Sequence, residues 1–401
     1  MPTPPHPRLP LIMALACGVA VANVYFPQAL TPLIAHGFAV SPATAATVAT
    51  VAQLGYAAGI FLLVPLGDRL PRRPLIGTLL AATTAALLAA GLAPSLGFLL
   101  AAGAVVGAAT VVPQLLIPLA AGLVAPERRG AVIGTLQGGL IGGILLARTF
   151  GATVGGALGW RAPYLIAAAL TALLTVVLAK ALPPGPGPAG TERYPALLAQ
   201  TVRLLASEPA LRRSALYQAT LFAGFSAAWT ALALLVTGPT YRLGAQAVGL
   251  LALIGAASML TTPAAGRLAD RHGPDRVNLG CILGALLAAA VLGLGSLGGI
   301  AGLAALIAGL VLLDIAVQGN QVANQARILA LRPEARARLN TAYMTCSFLG
   351  GSAGSALGVR AQAAFGWGGV CALIALAAAV ALGTHTWLAR PIRVRPGRVH
   401  T

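Results

Sequence analysis

The chain has 401 residues, of which 58% are hydrophobic and only 8% are charged. Because a soluble domain carries about 25% charged residues, this composition excludes an ordinary water-soluble protein and indicates one that sits in the lipid bilayer. The net charge of +18 does not indicate a nucleic-acid-binding protein, since the basic residues lie in short breaks between long apolar runs. We therefore expect no nucleic-acid partner.

Twelve apolar runs are long enough to cross a membrane, which takes about 20 residues each. The pattern predicts an all-α membrane protein with twelve transmembrane helices. In chain order the predicted spans are 9–33, 44–67, 74–94, 96–124, 131–157, 160–182, 213–238, 244–267, 277–297, 299–325, 338–363 and 366–389.

The basic residues predict the orientation of these spans. Nearly all of the 26 Lys and Arg residues fall in breaks that alternating spans place on one side, whereas Arg161, Arg242 and Arg360 fall on the other. Since loops rich in Lys and Arg stay in the cytoplasm, both termini are predicted to be cytoplasmic. Arg8 leads directly into the first apolar run without a clear cleavage pattern, so we expect that run to be retained as the first helix.

A proline- and glycine-rich stretch at 183–188 divides the chain near its middle. We expect an N-terminal six-helix bundle over 1–182, a cytoplasmic linker over 183–212 and a C-terminal six-helix bundle over 213–401. Apolar and charged residues alternate within the linker, which predicts an amphipathic helix at the membrane surface. A poorly ordered tether is the alternative.

The two predicted bundles share several sequence features. Residues 66–69 read Leu-Gly-Asp-Arg after the second span, and residues 268–271 read Leu-Ala-Asp-Arg after the eighth. A Pro-Glu motif precedes the fifth and the eleventh spans, and a Gly-Trp pair follows each of them. These matches predict two homologous halves. The fifth and eleventh spans are also rich in glycine, which favours close helix packing and suggests sliding surfaces between the halves.

Twelve spans in two halves, a central linker and the pattern Gly-x-Leu-x-Asp-Arg-x-Gly resemble the major facilitator superfamily. The second copy of the pattern, at 266–273, is the better match, whereas Val64 and Pro71 stand where glycines are usual in the first. The resemblance covers essentially the whole chain. It implies two pseudo-symmetric six-helix bundles that expose a central site to the two sides of the membrane in turn.

Further phrases are similar to the bacterial drug and arabinose efflux-permease branch, at residues 23–28, 126–130, 225–230 and 338–344. This similarity implies a drug:proton antiporter of the bacterial inner membrane that exports small organic molecules. One feature departs from it: many proton-driven members carry an arginine in the fourth span, but residues 99–123 contain no charge. Any coupling charge must therefore lie in another span.

Two charged residues lie within predicted spans. Asp314 is the one acidic residue near the middle of a span, and Arg148 is the one basic residue inside a span. Charges at that depth are costly, so they usually face a cavity or a partner. We interpret both as proton-coupling residues and expect them to approach each other across the interface in one conformational state. The alternatives are a helix–helix hydrogen-bond network for Asp314 and the polar residues that follow it, and for Arg148 either an outward-snorkelling side chain or a contact with an anionic substrate.

Polar residues after Asp314 recur at helical spacing, with Gln318, Gln321 and Gln325 on one face. This stripe, flanked by Asn320 and Asn324, predicts a wall of an aqueous pathway. Aromatic and polar residues of the first, fourth and seventh spans suit an amphipathic organic molecule, although packing against neighbouring helices is the alternative for the aromatic ones. The predicted substrate-binding residues are Asn23, Tyr25, Gln28, Gln114, Phe222, Phe225, Trp229, Gln318 and Gln321.

The repeated Asp-Arg turns are candidates for a gate on the cytoplasmic side. By the family resemblance, Asp68 complements the positive N-terminus of the eleventh helix, near Asn340, and latches the outward-facing state. Asp270 is its counterpart in the second half. The predicted gating residues are Asp68, Arg69, Arg72, Asp270, Arg271 and Asn340.

The sequence carries no catalytic signature, since its five histidines are scattered and no metal-ligand spacing, phosphate-binding loop or nucleophile elbow is present. We therefore expect no enzyme activity and no cofactor. The expected partners are a small-molecule substrate, protons and the lipid bilayer, and the chain is expected to act as a monomer. Uptake or uniport of a metabolite is the alternative within transport, and a non-transporting membrane receptor or scaffold is the alternative from another class.

Overall fold

The computed structural model describes residues 8–125, 128–183, 192–255, 262–332 and 335–388. Within this part of the chain every regular element is a helix. The α-helices are α1 (Leu9–Phe38), α2 (Pro42–Leu62), α3 (Arg72–Gly91), α4 (Leu96–Ala109), α5 (Val112–Gly122), α6 (Arg129–Leu158), α7 (Arg161–Ala181), α8 (Tyr194–Ser207), α9 (Pro209–Thr237), α10 (Ala245–Gly255), α11 (Thr262–His272), α12 (Pro274–Gly293), α13 (Gly299–Leu331) and α14 (Arg336–Leu388).

These helices reproduce the predicted spans. Ten segments of the described chain are long and apolar enough to cross a membrane. The last of them, α14, has 53 residues and would reach about 80 Å if straight, well beyond the thickness of a bilayer. It turns back at Gly366, whose φ of 62° is favourable only for glycine, and so supplies two spans. Helices α10 and α11 lie on either side of residues 256–261 and occupy the predicted eighth span.

The predicted fourth span is divided into α4 and α5. Ser95 begins α4, because its hydroxyl accepts a hydrogen bond from the Phe98 amide at 3.3 Å. The helix ends at Ala109, since Pro113 has no amide hydrogen to donate to the Ala109 carbonyl. Gln114 follows this break at Thr110 and Val111 and faces the interface between the halves.

Glycines hold equivalent helices together inside each half. A Cβ added to Gly143 of α6 would lie 2.2 Å from the Gly18 carbonyl oxygen of α1, and one added to Gly354 of α14 would lie 2.0 Å from the Ala223 carbonyl oxygen of α9. Only glycine permits such close backbone contact. These glycines therefore pack α6 and α14 against a neighbour in their own half, while other residues of the same two helices face the other half.

The N-terminal half (α1–α7) and the C-terminal half (α9–α14) meet along α2, α6, α10 and α14. The Thr50 hydroxyl donates to the Ser355 hydroxyl at 3.0 Å, and the Thr149 hydroxyl donates to the Gly249 carbonyl at 2.7 Å. These contacts close the interface at one end of the molecule, which we call the closed end. The opposite end carries the Asp-Arg turns and most of the arginines, and we call it the basic end.

The linker helix α8 contacts both halves at the basic end. The Tyr194 hydroxyl donates to the Leu62 carbonyl of α2 at 2.6 Å, and the Arg338 guanidinium of α14 pairs with Glu192 at 3.1 Å. Partial burial raises the pKa of Tyr194 above its ordinary value, so the hydroxyl remains a donor. The buried side chains Leu197 and Leu204 share one face, as the predicted amphipathic helix requires. Residues 184–191 of the linker lie outside the described part.

Candidate functional site

A cavity of about 610 Å³ lies between the two halves and widens toward the basic end. Its size falls within the range that holds a drug-sized molecule, about 300–1,000 Å³. On four of the lining helices the residue farthest from the basic end marks the deep end of the cavity. These residues are Tyr25 of α1, Ile144 of α6, Phe225 of α9 and Val317 of α13.

Most of the predicted substrate-binding residues meet in this cavity. Gln114 links the halves, since it accepts from the Asn340 amide at 3.4 Å and donates to the Tyr56 hydroxyl at 3.5 Å. Gln325 of the polar stripe also lines the wall, which supports the predicted polar pathway along one face of α13. The predicted substrate-binding residues in the lining are Tyr25, Gln114, Phe222, Phe225, Gln318 and Gln321.

Aromatic rings from both halves form one wall of the cavity. Tyr56 of α2 meets Phe348 of α14 edge to face with 4.5 Å between ring centroids, and Phe348 meets Phe222 at 5.2 Å. Phe222 in turn stacks on Phe225 at 5.5 Å. The sequence analysis missed Tyr56 and Phe348, because an aromatic residue in an apolar run carries no signal that distinguishes a cavity wall from a lipid-facing side chain.

A buried charged cluster lies at the deep end of the cavity and joins the two halves. The guanidinium of Arg148 on α6, only 1% exposed, lies 4.3 Å over the Trp229 ring centroid on α9. Its Nε donates to Gln28 Oε1 on α1 at 3.0 Å. The Trp229 indole nitrogen donates to Asp314 Oδ1 on α13 at 3.1 Å. Trp229 therefore bridges a cation of the N-terminal half and an acid of the C-terminal half.

Several polar atoms of this cluster have no hydrogen-bond partner among the described residues. They are both terminal nitrogens of Arg148, the second carboxylate oxygen of Asp314 and the amide nitrogen of Gln28. Arg148 forms no ion pair within the described part of the chain, so Trp229 stands in place of the direct contact with Asp314 that the sequence suggested. The described residues contain no group of His, Cys, Asp or Glu side chains that could hold a metal ion.

Other predicted polar residues lie away from the cavity. The Asn23 amide faces the Thr171 hydroxyl of α7 at 3.5 Å, inside the N-terminal half, so its placement does not fit the predicted substrate contact. Asn320 and Asn324 do not line the pathway either. They bond to Asn278 of α12, as the alternative of a helix–helix hydrogen-bond network would have it.

The predicted gating residues surround the mouth of the cavity at the basic end. Asp68, Arg72 and Asn340 line it, and Asp68 makes no ion pair or side-chain hydrogen bond with any described residue. Among the described residues the Arg72 guanidinium donates only to the Gly67 carbonyl, at 3.4 Å, within the same turn. The latch that joins Asp68 to the N-terminus of α14 is thus not formed in this open conformation. Arg69 and Arg271 are exposed, and the side chain of Asp270 lies outside the described part.

Comparisons with known proteins agree with this architecture. Residues 11–355 match the family model of the Major Facilitator Superfamily. The chain is 41% identical over 392 residues to "Probable transporter SCO4007" of Streptomyces coelicolor, an alignment that covers 96% of this chain and 88% of that protein. It is 38% identical over 365 residues to "Uncharacterized transporter YgaY" of Escherichia coli O157:H7, covering 91% of each.

Solved structures share the fold at low sequence identity. The nucleoside transporter NupG (D323A mutant) superimposes with a TM-score of 0.75 at 14% identity, over 95% of this chain and all of that one. A bacterial homologue of the human lysosomal transporter Spinster, inward-facing and unoccupied, gives a TM-score of 0.66 at 17% identity, over 95% of this chain and 94% of that one. The twelve-helix, two-half fold is thereby confirmed, and the chain belongs to the Major Facilitator Superfamily, as a membrane transporter and not an enzyme.

Proposed function

We propose that this chain is a secondary active transporter that exports small organic molecules across the bacterial inner membrane in exchange for protons. The halves at 1–182 and 213–401 rock about the central cavity, and the linker at 183–212 joins them on the cytoplasmic side. Each chain holds a complete cavity between its own halves, which supports a monomer as the working unit. The observation that carries the proposal is the cluster of Arg148, Trp229 and Asp314 between the halves.

The cluster couples protonation to conformation because its charges belong to different halves. While ionised, Asp314 attracts the buried cation of Arg148 through the Trp229 bridge. A proton on Asp314 removes that attraction and leaves the guanidinium without a compensating charge. Only an interaction that differs between two conformations shifts their equilibrium, and a contact across the moving interface is of this kind.

Two side chains of the cavity wall pack against the cluster, which links the proton to the substrate. The rings of Tyr25 and Phe225 line the cavity and lie 5.3 Å and 5.2 Å from the Arg148 guanidinium carbon. A molecule bound at the deep end therefore contacts the residues that hold Arg148 in place. The basic end carries most of the arginines and is assigned to the cytoplasm, so this conformation takes its substrate from inside the cell.

Proteoliposomes that contain a pH-sensitive dye test the proposal. Small organic compounds are added one at a time, and proton movement is recorded for the wild-type chain and for Asp314→Asn. Proton antiport predicts that some compounds move protons through the wild type and that none does so through the variant. Compound flux without proton movement would indicate a uniporter, and a chain that moves no compound under any gradient would indicate a receptor or scaffold; both results would overturn the proposal.

A further inference from the structure

The Arg148 side chain is built to receive a ligand that the chain itself does not supply. A guanidinium offers five N–H donors, and only the Nε donor of Arg148 is bonded, to Gln28. Both terminal nitrogens are buried without a partner among the described residues. Leaving such donors unpaired is costly, most of all on a charged group. The geometry favours an acceptor that reaches both nitrogens at once.

The cavity gives a ligand a route to these nitrogens. Tyr25 and Phe225 are the only side chains that both line the cavity and stack on the guanidinium within the described part. Ile144, one helical turn before Arg148 on α6, lines the same deep end. A ligand at the deep end therefore meets these two rings before it reaches the guanidinium. Asp314, by contrast, does not line the cavity, and its carboxylate is held by the Trp229 indole nitrogen.

The charges at the cavity mouth have the same sign as Arg148. The lining contains Arg72, Arg129, Arg336 and Arg338 against a single acidic residue, Asp68. Basic residues are common at cytoplasmic helix ends, so this excess alone would indicate only the orientation. The mouth arginines and the Arg148 guanidinium, which lies beside the deep end, together give the cavity a positive potential from its mouth to its deep end.

We propose that the transported molecules are amphipathic organic anions. An apolar or aromatic body packs against Phe222, Phe225 and Phe348, and one oxoanion group, such as a carboxylate or sulfonate, binds both terminal nitrogens of Arg148. A carboxylate or sulfonate presents two adjacent oxygens to the two-pronged guanidinium, which is why arginine binds them better than a point charge does. This inference rests on the proposed function for its site and names the substrate class for it.

A matched set of three probes tests the charge preference by thermal unfolding of the purified chain in detergent. The probes share one ring system: 2-naphthoate, 2-naphthamide and 2-naphthyltrimethylammonium. Ligands that bind the folded state raise its unfolding temperature. The naphthoate is expected to raise it by several degrees, the amide less, and the cation not at all. Stabilisation by the cation and not by the naphthoate would overturn the inference, and this arm requires no variant.

Two arginine variants then locate the effect. Arg148→Gln is expected to weaken naphthoate binding by about tenfold or more, the order expected for losing hydrogen bonds to a charged group. Arg161→Gln is the matched control, since Arg161 also lies 4.3 Å over a tryptophan ring, that of Trp160, but is exposed and outside the cavity. It should bind naphthoate like the wild type. Equal binding by Arg148→Gln and the wild type would overturn the assignment of the anion to Arg148.

The binding assay separates this inference from the proposed function. It is performed without a proton gradient, so its result does not depend on coupling. Asp314→Asn, which should lose proton-driven transport, is expected to bind naphthoate at least as well as the wild type because an acidic competitor for Arg148 is gone. Loss of naphthoate binding in Asp314→Asn would contradict the inference even if proton antiport were demonstrated.

Discussion

Two buried polar clusters in this molecule differ in how completely their hydrogen bonds are made. Asn278, Asn320 and Asn324 form a closed ring in which each amide donates to the next, at 3.0, 2.8 and 3.0 Å. The cluster of Arg148 and Asp314 leaves two nitrogens and one oxygen of its charged groups unpaired within the described part. The asparagine ring lies inside the C-terminal half, whereas the charged cluster spans both halves.

The difference indicates what each cluster is for. A closed polar network fixes the packing of α12 on α13 and offers nothing to a ligand. An incomplete network costs free energy in the resting protein, so it persists where a ligand, a proton or a second conformation completes it. Burial is the same in both clusters, since all five of these residues are at most 1% exposed. The two clusters are equally buried and differ in whether their polar atoms have hydrogen-bond partners. This difference separates the structural cluster from the one we assign to transport.

The largest expected effect on transport is that of Arg148→Gln. Each hydrogen bond from the charged guanidinium to the substrate contributes about 1.5–3 kcal/mol, so substrate flux in proteoliposomes should fall by about 100-fold or more when both terminal nitrogens are lost. The unfolding temperature should change little, because the lost guanidinium was itself incompletely paired. Arg161→Gln provides the control and should retain flux. Similar loss of flux in both variants would remove the distinction between the two stacked arginines.

Asp314→Asn should separate coupling from binding. The asparagine still accepts the Trp229 hydrogen bond but carries no proton at any working pH. Substrate exchange at equal concentrations on both sides should remain within about threefold of the wild type, whereas transport driven by a proton gradient should be lost along with its pH dependence. Gradient-driven accumulation by this variant would show that another group carries the proton.

Trp229→Phe tests the bridge between the two charges. Phenylalanine keeps an aromatic face for Arg148 but cannot donate to Asp314. Hydrogen bonds to charged groups contribute about 1.5–3 kcal/mol, so proton-driven flux should fall about tenfold, a smaller loss than that of either charge variant. Phe225→Leu, which removes a ring that stacks on Arg148 and lines the cavity but keeps the indole donor, is the comparison variant. A flux for Trp229→Phe equal to that of the wild type would exclude the indole from coupling.

Asn324→Ala should have the smallest effect on transport and a clear effect on stability. It leaves the Asn278 donor and the Asn320 acceptor without a partner in the ring, which costs about 1–3 kcal/mol for each buried group. The unfolding temperature should drop by several degrees, while flux per folded molecule stays near the wild-type value. A variant that folds normally but loses flux would place the ring in the transport pathway, as the polar-stripe interpretation first suggested.

The sequence predicted the spans because lipid imposes a strong constraint on composition. Apolar runs separated by polar breaks coincide with the long helices of the described residues, and Pro113 and Gly366 mark places where a helical segment of that part is interrupted. The sequence also identified Arg148 and Asp314, because a charge within an apolar run is rare and costly. Both inferences depend on residue type alone.

Features that depend on side-chain direction could not be predicted in this way. Asn320 and Gln321 are neighbours in sequence, yet one lies in the asparagine ring and the other in the cavity wall. A rotation of about 100° per residue decides which neighbour each meets, and that neighbour belongs to a different part of the chain. The same reason explains the placement of Asn23 on Thr171 and the role of Trp229 as a bridge. The glycines of α6 and α14 predicted close packing correctly, but not the partner helix.

The central claim is that a proton on Asp314 changes how the two halves are arranged, and electron spin resonance distances measure this most directly. Spin labels at Pro74 of α3 and Arg276 of α12, both exposed near the basic end, report its opening in a chain whose four native cysteines are replaced by alanine. Acidification should shift the wild-type distances toward shorter values, as the mouth closes, and should leave those of Asp314→Asn unchanged. An identical pH response in both chains, or none in the wild type, would contradict the central claim.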